Sequence, residues 1–197
     1  MKTPHWTAMA AILLVASASI VAVVSDSARP EPLGEFGSVP DFTLVERDGR
    51  TVDRSDFDGQ VWVADFIFTN CAGTCPLMTG QMSALQHVIP EEVLLVSFTV
   101  DPARDTPMVL AGYADRHDAD PDRWYFLTGS RDELYTLARE GFLLAVDDTI
   151  GTEEEPITHS SRFALVDRKG TVRRYYDGTS AEEVAQIPKD VFSLLSE

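Results

Sequence analysis

Two apolar octapeptides constrain the centre of this chain: Val61-Trp-Val-Ala-Asp-Phe-Ile-Phe68 and Val93-Leu-Leu-Val-Ser-Phe-Thr-Val100. Runs with so little alternation belong to strands covered on both faces, the usual state of parallel strands. Between them Leu77, Met78, Met82, Leu85 and Val88 or Ile89 recur at helical spacing, and Pro90 ends the stretch. The unit reads as strand, helix, parallel strand. Its first turn holds both cysteines of the chain, in Cys71-Ala-Gly-Thr-Cys75, followed at once by Pro76.

The remaining pattern extends this unit. Asp41–Val45 and Thr51-Val52 predict a small hairpin turned by Asp48-Gly49. Thr106-Pro107 opens a second helix running to about His117, with Pro107 in the first helical position. Trp124–Leu127 predicts a short strand, Arg131–Glu140 a helix stopped by Gly141, and Phe142–Val146 another strand. Arg162–Val166 and Val172–Tyr176 form a hairpin through Asp167-Arg-Lys-Gly170, and a last helix spans about Ser180 to Leu195, kinked or restarted at Pro188. The order predicts an α/β fold of thioredoxin-like layout. A mixed central sheet is flanked by helices, with an N-terminal hairpin and a C-terminal β-hairpin plus helix.

This domain occupies residues 39–197. Residues 25–38, rich in Pro, Gly and Ser, read as a linker, and residues 1–24 as a membrane anchor or signal segment. Trp6 to Val24 is uncharged; as a helix it would be about 28 Å long, close to the thickness of the hydrocarbon core. Ala16 and Ala18 supply a small-residue cleavage pattern, yet the apolar run continues to Val24, so length favours an uncleaved anchor. Lys2 and the amino terminus then stay in the cytoplasm, which places the C-terminal domain outside it, in the periplasm or its equivalent. Neither cysteine lies near this segment, which excludes lipidation at an N-terminal cysteine. In an oxidising compartment a thiol pair tends toward the disulfide.

Thirty-two acidic and 16 basic residues give a net charge of −16, and residues 1–28 hold only one charge of each sign, Lys2 and Asp26. The exported domain therefore carries the whole imbalance. Nucleic acid is excluded as a natural partner. The acidic surface either steers a basic protein partner or serves solubility.

Pro76 places Cys75 at or just before a helix N-terminus, where the helix dipole favours thiolate and lowers the thiol pKa. A thiolate is both the nucleophile of disulfide exchange and a ligand for soft metals. Three intervening residues let one turn present both sulfurs to one point. A structural staple closing so small a loop would contribute only about 2 kcal/mol, which a domain of this size does not need. Two thiols and scattered histidines do not assemble a local four-ligand zinc set.

Asp65, inside the first apolar run and six residues before Cys71, has two readings. Desolvated, it has a raised pKa and exchanges protons near neutrality; paired with an Arg or a hydroxyl, it is a structural acid. Met78 and Met82 read as core. His5 precedes the anchor, and His87 and His117 read as solvated at helix ends. Asp105 or Thr106 reads as the cap of the helix that Pro107 starts.

Three segments carry a resemblance. Phe68-Thr-Asn-Cys-Ala-Gly-Thr-Cys-Pro-Leu-Met78 resembles the F-T-x-C-P-x-x-C-P segment of the Sco/SenC family, and Val100-Asp-Pro-Ala-Arg-Asp-Thr-Pro107 its V-D-P-x-R-D-T-P segment. Thr158-His-Ser160, just before a strand that ends in a hairpin, resembles the family's D-H-S segment. The family comprises membrane-anchored, thioredoxin-fold copper proteins that help assemble the binuclear copper centre of cytochrome c oxidase. The resemblance implies that Cys71, Cys75 and His159 bind copper and that Cys71 and Cys75 form a redox disulfide; Asp101 and Arg104 are candidates for the border of the site. Two thiolates and an imidazole suit Cu(I) and also accept Cu(II). The implied partners are the copper-bearing subunit of the oxidase and a periplasmic thiol reductant or copper donor.

The chain departs from the family pattern in three places. Ala72 stands where the family has Pro, Thr158 where it has an acid, and Asp65 where many members have an aromatic residue. By resemblance, thioredoxins hold a buried Asp at the offset of Asp65, where it serves proton transfer. The alternative function is therefore a thiol-disulfide reductase using Cys71, Cys75 and Asp65. A thiol peroxidase fits less well: its nucleophile expects a hydroxyl three residues earlier, where this chain has Phe68 and Ala72.

Overall fold

The computed structural model describes residues 33–71, 73–147 and 158–197, with backbone alone at Asp147, Thr158 and His159. The expected anchor, residues 1–24, and residues 25–32 of the expected linker lie outside them. No helix among the described residues is long and apolar enough to cross a membrane.

The first strands among the described residues form a hairpin of β1 (Thr43–Glu46) and β2 (Thr51–Asp53), with Gly49 at φ +89° in its turn. There follow β3 (Trp62–Ile67), α1 (Cys75–Leu85), β4 (Leu94–Thr99), α2 (Pro107–Arg116) and β5 (Trp124–Thr128). Next come α3 (Arg131–Thr136), β6 (Val146–Asp147) and β7 (Thr158–His159). The chain closes with the β8 (Arg162–Val166) and β9 (Val172–Asp177) hairpin and the short helices α4 (Ala181–Val184) and α5 (Ile187–Leu195).

Seven strands form one mixed sheet in the order β2-β1-β5-β4-β3-β8-β9. The two buried octapeptides lie side by side as parallel β3 and β4, with β5 parallel beyond them and β8 antiparallel to β3. The sequence therefore places the sheet centre correctly. Carboxyl ends of parallel strands are where α/β folds put their sites, because the following helices begin there. At that end lie the cysteine turn after β3 and the 100–106 loop after β4.

Alternation along the strands gives the sheet two unlike faces. On one, Trp62, Phe66 and Phe98 pack with Phe57 and Phe142; Phe66–Phe98 centroids are 5.0 Å apart and Phe66–Phe142 5.3 Å. On the other, Asp65, Ser97 and Phe126 are register partners, and the Trp124 indole donates to Ser97 Oγ at 3.0 Å. Met78 and Met82 are fully buried, as expected of core residues.

Several boundaries differ from expectation. Residues Phe142–Ala145 are not a strand: α3 loosens into a π turn, Leu137–Gly141, and only Val146–Asp147 pairs, with β7. Phe142 is buried by its rings rather than by a ladder, and Leu143 takes φ +50° to let the chain turn there. The last helix, by contrast, restarts at Pro188 as expected: it is broken into α4 and α5, and Pro188 lies in the first turn of α5. At the other end of the domain, Phe36–Val39, partly within the expected linker, hydrogen-bonds along the β8–β9 turn through Gly170 and Val172. That turn requires Gly170 because its backbone sits at φ +77°, a conformation that residues with a Cβ rarely adopt. Gly170→Ala is expected to cost about 1–2 kcal/mol in urea unfolding, since L residues are strained in this region.

Candidate functional site

Cys75 is the first residue of α1 and Pro76 follows it in the first turn, where a missing N–H costs nothing. Cys71 lies outside the helix in a turn closed by its own N–H to the Phe68 carbonyl at 3.3 Å. Both are thiols, not joined in a disulfide. They differ in access: Cys75 is 0% exposed and Cys71 9%. Cys71 is thus the more accessible of the two residues.

The expected lowering of the Cys75 pKa is not found. Burial pushes that thiol well above its ordinary range, and the adjacent Cys71 side chain adds to the shift, against a hydrogen bond with the Phe68 backbone that favours thiolate. A position at the helix N-terminus does not offset the removal of water around the sulfur.

Asp65 lies at the centre of β3, 0% exposed, and neither carboxylate oxygen has a hydrogen-bond partner of good geometry among the described residues. Desolvation pushes the pKa up to about 7, outweighing its register partner Ser97, which favours the carboxylate. Of its two readings from sequence, the geometry matches the desolvated acid. Its charge is felt at Cys75. Tyr113 of α2, which sequence reasoning missed, belongs to the same buried group. Its hydroxyl meets Thr79, one turn beyond Cys75, at 2.7 Å, and burial pushes its pKa up to about 12. Only a contact between two helices reveals it.

His117 is half-buried rather than solvated: its ring lies 4.7 Å from that of Tyr113, and desolvation lowers its pKa. His87 is exposed, as expected.

His159 pairs in register with Val146, and Ser160 N–H bonds the Ala145 carbonyl at 2.9 Å. These residues lead into β8. Because β8 is antiparallel to β3, with Trp62 opposite Val166 and Ala64 opposite Ala164, the start of β8 lies at the end of β3 that feeds the cysteine turn. The backbone of His159 is thus delivered to the cysteine end of the sheet. No cluster of three metal-ligating side chains forms among the described residues, to which the His159 side chain does not belong.

Asp101 and Arg104 pair with each other at 2.8 Å, Asp101 nearly buried and the Arg104 side chain 62% exposed. Asp105 links this loop to the cysteine turn. Its Oδ1 accepts the Thr69 hydroxyl at 2.6 Å, and its Oδ2 accepts the Thr69 N–H at 3.1 Å and the Thr99 hydroxyl at 2.6 Å. The expected cap is therefore absent: Thr106 occupies the cap position of α2 without a side-chain bond, and Asp105 faces the other way.

A parallel-centred sheet with two thiols at the strand-to-helix turn defines a thioredoxin-like protein of the paired-thiol class. The sequence profile of the SCO1/SenC family matches residues 31–195, and the chain belongs to that family. It is 38% identical over 159 residues to the SCO1 protein homolog of Bacillus subtilis, covering 79% of this chain and 81% of that one. Among solved structures it resembles BsSco, described with a disulfide switch as a member of the Sco family of cytochrome c oxidase assembly proteins. There the identity is 36% and the TM-score 0.73, over 84% of this chain and 96% of that one. The fold is also that of Arabidopsis thaliana ScoI with copper bound, at 24% identity and TM-score 0.68, over 81% and 99% of the two chains.

Proposed function

We propose that this protein is a copper-binding, thiol-redox assembly factor whose ligands are the sulfurs of Cys71 and Cys75 and the imidazole of His159. The reading is supported by one observation above the others: two thiols, close enough to interact, sit in one turn at the end of the sheet to which β7 brings His159. The donor set fits the ion. Two thiolates and one imidazole form a soft, low-coordinate site for Cu(I) that tolerates Cu(II). Bound copper replaces the thiol protons, and it leaves by exchange onto the thiols of an acceptor. We take that acceptor to be the copper-bearing subunit of cytochrome c oxidase, with a periplasmic thiol reductant or copper donor upstream. The domain works outside the cytoplasm, tethered through residues 1–24.

The dithiol–disulfide state gates this binding, because a disulfide removes both thiolates at once. Titration of the full-length protein with Cu(I) against a chromophoric chelator tests the reading. The reduced protein is expected to take up one copper per chain, more tightly as pH rises because the buried Cys75 must lose its proton; the oxidised protein is expected to lose that site. Equal uptake by the two forms contradicts the proposal.

A second reading is favoured by Asp65. A solvent-free carboxyl that titrates near neutrality within electrostatic reach of Cys75 suits a thiol-disulfide reductase, with Asp65 taking and returning the thiol proton. Both functions use the same thiolates.

A further inference from the structure

The two cysteines are held by different means. Cys75 is fixed by the helix it begins and by complete burial, whereas Cys71 lies outside that helix in the turn that follows Phe68. What ties the head of that turn across 36 residues of sequence is the carboxylate of Asp105. Asp105 is itself 0% exposed, and it is braced: its N–H bonds the Asp101 carbonyl at 2.9 Å, and the Asp101 N–H bonds Thr99 Oγ1 at 2.9 Å. Thr99 in turn donates to Asp105. The end of β4 and its loop therefore form a closed ring of bonds with one carboxylate directed at Thr69.

We propose that Asp105 is the positioning residue of the thiol pair, fixing Cys71 relative to Cys75 through Thr69. The proposal rests on the reading that the pair performs the chemistry. A post of this kind lowers the freedom of the dithiol toward that of the disulfide, and it holds the sulfurs at one separation for a metal. Releasing it returns freedom to the dithiol alone, so the disulfide becomes easier to reduce and copper binds less tightly.

The test uses full-length parent, Asp105→Asn, Thr69→Val and the double variant. Asn keeps the volume but loses acceptor capacity; Val removes the hydroxyl bond. Each is equilibrated with glutathione, where two glutathione thiols reduce the Cys71–Cys75 disulfide to two protein thiols and yield one glutathione disulfide. Both single variants are expected to retain the parent's far-ultraviolet circular dichroism and to shift this equilibrium toward dithiol by about threefold or more, the order expected from losing a pre-organising contact. The double variant is expected to shift no further than Asp105→Asn, because both changes break one contact. Parent-like equilibria in both single variants, or full additivity in the double, overturn the proposal. Should Asp105→Asn fail to fold, the Thr69→Val equilibrium decides alone. A shifted equilibrium in a protein that binds no copper supports the positioning role and ends the copper reading; unmoved variants of a copper-binding parent do the reverse.

Discussion

Asp65→Asn is expected to stabilise the protein above pH 7 while slowing its thiol exchange. The carboxyl has a folded-state pKa raised from 3.8 to about 7 by desolvation. Below about pH 4 the acid is protonated in both folded and unfolded chains, and the substitution gains little. Between about pH 4 and 7 the unfolded chain ionises while the folded one keeps its proton, so the parent loses stability as pH rises. Above pH 7 that loss is complete. At about 1.4 kcal/mol per pKa unit it reaches up to about 4 kcal/mol, on the order of ten degrees in Tm. Asn has no proton to lose and lacks the slope. Thermal melts of parent and variant from pH 4 to 8 check this: curves that stay parallel across the range contradict the desolvated state of Asp65.

The same substitution removes a proton acceptor beside Cys75. Disulfide exchange is expected to slow by about tenfold or more, in the range of general-base effects, with a smaller change in copper affinity. An exchange rate equal to the parent's across about pH 6–9 removes the relay role while leaving the stability prediction standing. A residue that costs stability and contributes to chemistry is what a buried acid at a reactive site should be.

Asp65 also marks where sequence reading succeeds and where it stops. The apolar runs around it identified β3 and β4 as central strands, and Cys-Pro identified the start of α1, because each signal is local. The Asp48-Gly49 and Gly170 turns were legible for the same reason. Phe142–Val146 misled because an apolar run records burial, and burial of Phe142 by Trp62, Phe66 and Phe98 needs no strand pairing.

The site divides along the same line. The thiols and His159 stand in short recognisable segments, whereas the environment of Cys75 and the roles of Tyr113 and Asp105 depend on contacts between residues far apart in sequence. A dipole argument applied to Cys75 alone has the wrong sign once burial is counted. A capping rule applied to Asp105 selects the nearest helix and misses Thr69, which lies 36 residues away.

Copper binding by three donors is tested most directly by deleting the donor that arrives from β7. Reduced full-length protein, parent beside His159→Ala, is titrated with Cu(I) against a chromophoric chelator, and the Cys71–Cys75 equilibrium with glutathione is measured on the same samples. Loss of a ligand exceeds the effect of losing a residue that merely orients one, so the variant is expected to bind copper at least about 100-fold more weakly while its thiol equilibrium stays within about twofold of the parent's. Copper affinity equal in the two proteins contradicts the three-donor site.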